Sequence, residues 1–526
     1  MQGTFYPGIF SHDFTGNILM RNFTLLPLAT ALALALAGCA EQATPGADKA
    51  ASTGGDTQEL LGSLSFTPCT LPSAFGGEGV EAKCGALEVP ENRAEPNSRK
   101  IRLNIAWIPA SEGADLQPDP VFFLAGGPGQ SAVDTYPQLA PIFNRIGRQR
   151  HVILVDQRGT GDSHPLNCDV EMDAMEDSAA DDLDALARMT QACRDRLGKT
   201  ADLRQYGTTA AVADLDAVRA AIGAPQLNLI GVSYGTRVAQ QYAMRHPDRT
   251  RSITLDSPVP NALILGNIWA RNLDDALAKQ FALCSADATC RDKLGDTRAE
   301  LDTLMNKLRA APVNVTYRDA NTGEERTEPL TASEVAGLVR MYAYMPAMAA
   351  LLPLQIHEAS QGRYGNLKAL TVMLTHAMKD QMASGMQLSV VCAEDGDGIV
   401  GDAANEGTVL GNSLTDGIGT MCKHWPRGEV PADFHKPLST KVPALIIAGE
   451  FDPVTPPKYG EEVLRTLPNG RLLVLKGQGH SVLGAGCMPR LFAEFIDTAN
   501  AAALDAKCLT SLSPMAPFQN FNGAQP

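Results

Sequence analysis

Ser233 stands between two glycines in Leu227-Asn-Leu-Ile230-Gly231-Val-Ser233-Tyr-Gly235-Thr236, directly after an apolar run of strand character. A serine on a sharp strand-to-helix turn is held in a strained backbone conformation, and glycines two residues to either side let strand and helix approach closely. The following stretch, Thr236 to Met244, suits a helix. Its free N–H groups would point at the serine and favour negative charge there. A serine so placed is a candidate nucleophile for a carbonyl carbon, and it requires a base, an orienting acid and donors for the oxyanion. Pro443 to Gly449 reads as a buried strand followed by the turn Glu450-Phe-Asp452-Pro453, which offers Asp452 as the acid. Arg471 to Leu475 is a second apolar run, closed by Gly477-Gln-Gly-His480-Ser481, which offers His480 as the base. The other histidines lack that setting. His12 precedes the expected mature chain, His246 closes a helix, His151 opens a strand, and His164, His357, His376, His424 and His435 have no strand-turn context. Asp256, which ends the strand after the serine, remains the alternative acid. Pro120 to Leu124 runs into Ala125-Gly-Gly127-Pro-Gly129-Gln130, and the oxyanion donors are expected to be the amides of Gly127 and of Tyr234, the residue after the nucleophile.

These groups meet only if strand ends are gathered on one edge. Residues 60–260 alternate short apolar runs with helical ones, including the amphipathic Ala210 to Ile222, which predicts βα units and a parallel sheet. Over 261–429 strand signals fade, and Ala332 to Ala350 and Leu367 to Met382 repeat apolar residues at helical spacing. The expected fold is α/β, a mainly parallel central sheet flanked by helices with an inserted helical cap. The division is 60–260 and 430–508 for the two parts of the core, 261–429 for the cap, and 509–526 for a loose tail. An acidic helical excursion, Val170 to Leu197, interrupts the first part.

Gly126-Gly-Pro-Gly129, Asp156-Gln-Arg-Gly-Thr-Gly-Asp-Ser163, Gly231-Val-Ser-Tyr-Gly-Thr236, Gly449-Glu-Phe-Asp-Pro-Val-Thr-Pro456 and Gly479-His480 occur in the order of one family. As a set they resemble α/β-hydrolases of the proline iminopeptidase and tripeptidyl aminopeptidase family. Proline iminopeptidases tend to have His before Gly-Gly-Pro-Gly, and Ala125 stands there instead, which points to the tripeptidyl-aminopeptidase-like branch. The resemblance implies an acyl-enzyme serine hydrolase without cofactor or metal, releasing one or a few residues from peptides with a free N-terminus. Aminopeptidases of this type hold the substrate's α-amino group with acidic residues, and Glu394 and Asp395, in Ser389-Val-Val-Cys392-Ala-Glu394-Asp395, resemble that element. A carboxylesterase or lactonase using the same triad on apolar esters is the alternative, and a non-catalytic binding lipoprotein is a third reading.

Met20-Arg-Asn22, the apolar Phe23 to Ala37 run and Leu36-Ala-Gly-Cys39 resemble a bacterial lipoprotein signal. That implies a signal over 1–39, including an upstream extension, lipidation of Cys39, and a flexible tether over 40–59. Ala40 after the cysteine fits an outer-membrane lipoprotein facing the periplasm, with the membrane reached through the lipid anchor alone. Ordinary secretion is the alternative. The other ten cysteines pair by sequence neighbourhood as Cys69 with Cys84, Cys168 with Cys193, Cys284 with Cys290, Cys392 with Cys422, and Cys487 with Cys508. A disulfide set suits an oxidising compartment, and metal binding is disfavoured because neither Cys-x-x-Cys nor His-x-x-x-His spacing occurs. The 526-residue chain carries a formal charge of −15 and no Lys/Arg run, which argues against nucleic-acid partners.

Overall fold

The computed structural model describes residues 58–522 apart from 74–75, 77, 96, 174–181, 321 and 379–380. The expected signal, Cys39 and nearly all of the expected tether lie outside the described residues.

A ten-stranded sheet forms the frame. In chain order its strands are β1 (Glu59–Leu61), β2 (Leu64–Leu71), β3 (Val80–Pro90), β4 (Lys100–Ile108), β5 (Val121–Leu124), β6 (Val152–Val155), β7 (Leu227–Val232), β8 (Thr250–Asp256), β11 (Ala444–Gly449) and β12 (Gly470–Leu475). A separate hairpin pairs β9 (Val313–Arg318) with β10 (Glu325–Leu330). The spatial order is β1-β2-β3-β4-β6-β5-β7-β8-β11-β12. From β6 to β12 every neighbour is parallel. Val-Phe-Phe-Leu in β5 and Val-Ile-Leu-Val in β6 are buried at every position, as a sheet covered on both faces requires. Because β5, β7, β8, β11 and β12 are parallel, their C-terminal ends share one edge, and the loops that follow them carry the candidate site.

The parallel expectation for residues 60–260 needs correction at its start. β1 to β4 form an antiparallel meander, and β4 joins β6 antiparallel. In β2 buried residues alternate with exposed ones in its first half, the pattern of a strand with one solvated face. The cap is likewise not wholly helical. Within it lies the β9–β10 hairpin, which turns Val315 and Tyr317 inward and the residues between outward.

The inserted segment divides by packing. Helices Trp269–Ala286, Thr297–Ala310, Ala332–Ala343, Leu352–Ser360 and Gly365–Met378 contribute to an apolar cluster of their own that includes Leu277, Leu304, Val335 and Ile356. Helix Ser384–Glu394 instead sends Met386, Val390 and Val391 into the main core. Five disulfides join Cys69–Cys84, Cys168–Cys193, Cys284–Cys290, Cys392–Cys422 and Cys487–Cys508. Each closes a short stretch of chain and contributes about 2–4 kcal/mol where unstrained. The segment after Cys508, expected to be loose, alternates exposed residues with packed ones such as Pro517 and Gln519. The Phe518 N–H donates to the Ala350 carbonyl at 2.8 Å, and Phe518 lies against the cluster around Cys284, Cys290 and Leu354.

Among the described residues, no helix is long and apolar enough to cross a membrane.

Candidate active site

β7 ends at Val232, and helix Tyr234–Arg245 begins one residue later. Ser233 between them has φ 55° and ψ −122°, a conformation an L-residue holds only under constraint from its surroundings. Its N–H donates to the Asp256 carbonyl at 2.9 Å, and its carbonyl accepts the Thr236 N–H at 2.9 Å. Both flanking glycines are sterically required. A Cβ on Gly231 would overlap the Gly235 carbonyl oxygen, and one on Gly235 would overlap the Leu124 carbonyl oxygen of β5. All of these clashing atoms are backbone, so no rotamer change relieves them. Gly235→Ala is therefore expected to cost more than about 4 kcal/mol and to appear as a collapse of the thermal midpoint rather than as a catalytic defect in a stable protein.

The loop after β5 faces the serine. A Cβ on Gly126 would lie 3.3 Å from the Ser233 Cβ. Gly127 has φ +105°, a value open to glycine and strained for other residues. Neither the Gly127 nor the Tyr234 N–H is taken by an acceptor among the described residues. The Tyr234 ring is buried beneath the elbow, where its hydroxyl meets Thr208 Oγ1 at 2.6 Å and accepts from Gln157 Nε2 at 3.1 Å.

Asp452 and His480 come together from the loops after β11 and β12. His480 Nδ1 lies 2.8 Å from Asp452 Oδ2 and 3.0 Å from Oδ1. The carboxylate also accepts the Val454 and Thr455 amides at 2.8 Å each and the Thr455 hydroxyl at 3.0 Å. Burial alone would raise the Asp452 carboxyl, but the His480 charge and hydrogen bond with those amides outweigh it and hold it below its ordinary value. Burial opposes charge on His480, yet Asp452 and then Asp256 outweigh it and raise the imidazole above its ordinary value, against a smaller opposing effect of Arg340. With Nδ1 committed to the carboxylate, Nε2 is the nitrogen left to exchange a proton. No hydrogen bond joins Ser233 Oγ to His480 among the described residues, and such contacts commonly tighten only when substrate is bound.

Asp256, the alternative acid, has a different set of partners. Its carboxylate accepts the Val482 and Leu483 N–H groups at 2.9 Å each, while its main-chain carbonyl holds Ser233. The hydroxyl of neighbouring Ser257 accepts the Ser481 N–H at 2.9 Å. The end of β8 thus fixes the serine and the loop after the histidine without touching the imidazole ring. Burial pushes Asp256 up to about 6.

The Asp156-Gln-Arg motif is scaffolding. Asp156 accepts Ser131 Oγ at 2.7 Å, Asn104 Nδ2 at 2.9 Å and the Val133 N–H at 3.0 Å, which ties the start of helix Ala132–Phe143 to β4. Arg158, fully buried, forms a two-pronged pair with Asp214, Nε to Oδ2 at 2.6 Å and Nη2 to Oδ1 at 2.7 Å.

Glu394 and Asp395 end helix Ser384–Glu394, and both are buried. Asp395, expected to meet substrate, is committed in part to a neighbouring cation. At 1% exposure its Oδ2 accepts from Arg237 Nη1 at 2.8 Å while its Oδ1 is buried without a hydrogen bond, and Arg237 is itself fully buried on the helix after the serine. Glu394 is spent only in part. Oε1 accepts the Thr208 N–H at 2.7 Å, and Oε2 is buried without a hydrogen bond, 3.7 Å from Arg237 Nη1. Burial pushes Glu394 up to about 7 against the pull of Arg237.

Two neighbours of His480 escape sequence reasoning. The His480 N–H donates to the Tyr344 carbonyl at 2.8 Å, and the Tyr344 ring meets the imidazole edge-on with centroids 5.0 Å apart. Arg340, one turn earlier, reaches the Tyr344 hydroxyl. Neither lies in a motif. Both arrive from the inserted segment through packing that no local pattern announces.

An elbow serine, a glycine loop and an Asp–His pair on the C-terminal edge of a mainly parallel sheet define an α/β-hydrolase. The chain matches the alpha/beta hydrolase fold family over residues 119–485 and belongs to it, as a serine hydrolase. It is 25% identical over 487 residues to serine protease Hip1 of Mycobacterium tuberculosis, covering 85% of this chain and 91% of that protein. It is 30% identical over 249 residues to tripeptidyl aminopeptidase of Streptomyces lividans, 44% of this chain and 46% of that one. The solved proline iminopeptidase of Mycobacterium smegmatis matches 80% of this chain and 99% of its own, with a TM-score of 0.39 and 16% identity.

Proposed function

We propose that the chain is an exported aminopeptidase that releases one or a few residues from peptide N-termini through an acyl-enzyme. Ser233 attacks the scissile carbonyl, and His480 Nε2 takes its proton and returns it to the departing amine. Asp452 keeps Nδ1 protonated and stabilises the imidazolium. The Gly127 and Tyr234 amides receive the oxyanion. Water then attacks the acyl carbon with His480 again as base, and the N-terminal fragment leaves as the acid. The five disulfides favour an oxidising compartment, and lipidation of Cys39 belongs to the same reading.

The observation that carries the amino-terminal preference is Glu394 Oε2, a buried carboxylate oxygen without a hydrogen bond, 3.7 Å from Arg237 of the helix that follows the nucleophile. Fully ionised, Arg237, Glu394 and Asp395 sum to one negative charge, which an ammonium would balance. The sign with pH follows. Glu394 becomes a carboxylate as pH rises through about 7, whereas a peptide α-amino group loses its charge near about 8. The ratio of kcat/KM for a free-amine peptide to that for a simple ester should rise with pH up to about 7 and fall beyond about 8, the titration of His480 being common to both substrates. Glu394→Gln should flatten that ratio and raise KM for free-amine peptides by about 10- to 100-fold, far more than for the ester. Equal effects on both substrates sink the assignment of Glu394, and ester cleavage without peptide cleavage replaces the aminopeptidase by an esterase.

A further inference from the structure

Arg340 lies in helix Ala332–Ala343 of the inserted segment and reaches toward His480 through one aromatic ring. Its guanidinium carbon lies 5.2 Å from the Trp269 ring centroid and 5.7 Å from that of Tyr344. The same Tyr344 ring packs edge-on against His480. Cation–π contact with two rings holds a guanidinium in one plane while leaving its N–H edge unspent. Of its five N–H donors, only one, on Nη2, meets an acceptor among the described residues, the Tyr344 hydroxyl at 3.2 Å. No carboxylate lies within ion-pair distance of Arg340 among those residues, whereas Arg158 and Arg237 are matched by Asp214 and Asp395. A half-buried, oriented cation without its anion, one aromatic ring away from the general base, is a place prepared for a ligand carboxylate.

Which carboxylate follows from the chemistry of the neighbouring histidine. His480 delivers its proton to the departing amine, so the leaving fragment lies on the imidazole side of the acyl carbon. An extended residue spans roughly 3.3–3.6 Å, so a leaving fragment of one or two residues carries its terminal carboxylate to the region just beyond the imidazole. We propose that Arg340 binds the C-terminal α-carboxylate of a short leaving fragment, which makes the enzyme selective for small oligopeptides with a free C-terminus. This rests on the serine-hydrolase mechanism above, and it adds a reading of the substrate's other end.

The test compares matched pairs. One pair is a tetrapeptide ending in a free carboxylate and the same peptide C-terminally amidated, with kcat/KM followed by release of the departing amine. The other is an acyl ester whose phenol leaving group bears a para carboxylate, against its para carboxamide counterpart. The purified protein should favour the carboxylate peptide by about 10- to 100-fold. Arg340→Met should bring that acid-to-amide ratio to about one, and Arg340→Lys, which keeps the charge without the planar fork, should restore part of it. An unaltered thermal midpoint for Arg340→Met together with a collapsed ratio supports the site, since a merely structural loss lowers both members of a pair alike. The proposal is overturned if the native protein treats acid and amide alike, or if Arg340→Met slows both equally. If peptides are not cleaved but the ester pair is discriminated through Arg340, the aminopeptidase reading falls and the anion site stands. If neither pair is discriminated, the anion site falls whatever the fate of the peptides.

Discussion

Replacing Ser233 with alanine is expected to lower kcat by about five to six orders of magnitude toward amide and ester substrates alike, and to abolish labelling by a fluorophosphonate. The fold should survive. The Ser233 hydroxyl takes no part in the interactions that hold the elbow, which use its N–H, with Asp256, and its carbonyl, with Thr236. An alanine must still adopt φ 55°, so the backbone strain is retained rather than relieved. In the proposed mechanism nucleophile and base act as one unit, so the further change His480→Ala on that background should remove little more, and a multiplicative loss would show that the two do not cooperate. Active-site titration beside thermal melts separates a dead enzyme from an unfolded one.

Asp452→Asn should lower kcat by about four orders of magnitude with little change in melting, because an amide in place of the carboxylate no longer holds the Nδ1-protonated imidazole or stabilises its cation. The same substitution at Asp256 separates the two acids. Asp256 grips the Val482 and Leu483 amides, not the ring, so Asp256→Asn leaves one of two buried N–H donors poorly matched and shifts the loop after His480. A loss of about 10- to 100-fold in kcat is expected, with a lowered melting temperature. Larger damage to turnover from Asp256→Asn than from Asp452→Asn would transfer the role of orienting acid to Asp256.

Local sequence carried much of this site because its parts are local devices. Gly231 is demanded by overlap with Gly235 within five residues of Ser233, although Gly235 answers to the Leu124 backbone of β5, and Asp452 follows a fully buried strand and His480 a short, partly exposed one. Their meeting at 2.8 Å depends on β11 and β12 being parallel neighbours with Gly449 beside Leu475. Contacts chosen by the fold as a whole stayed hidden. Arg237 and Asp395 are 158 positions apart, so nothing near Asp395 announces the ion pair between them. The antiparallel opening of the sheet was obscured because four consecutive strands read locally like the strand halves of βα units. The β9–β10 hairpin was overlooked because two six-residue strands lay between strongly periodic helices. Compositional looseness also misled at the tail, where Phe518 finds a burial site that only the folded insertion creates.

The bond from the His480 amide to the Tyr344 carbonyl ties the inserted segment to the residue proposed as general base. The approach there is so close that a Cβ on the preceding Gly479 would overlap that same carbonyl oxygen. A shift of the inserted segment at the Tyr344 end would therefore carry the His480 main chain with it. Excising the insertion is expected to release the His480 loop as well, so that the shortened protein loses activity even toward the smallest ester.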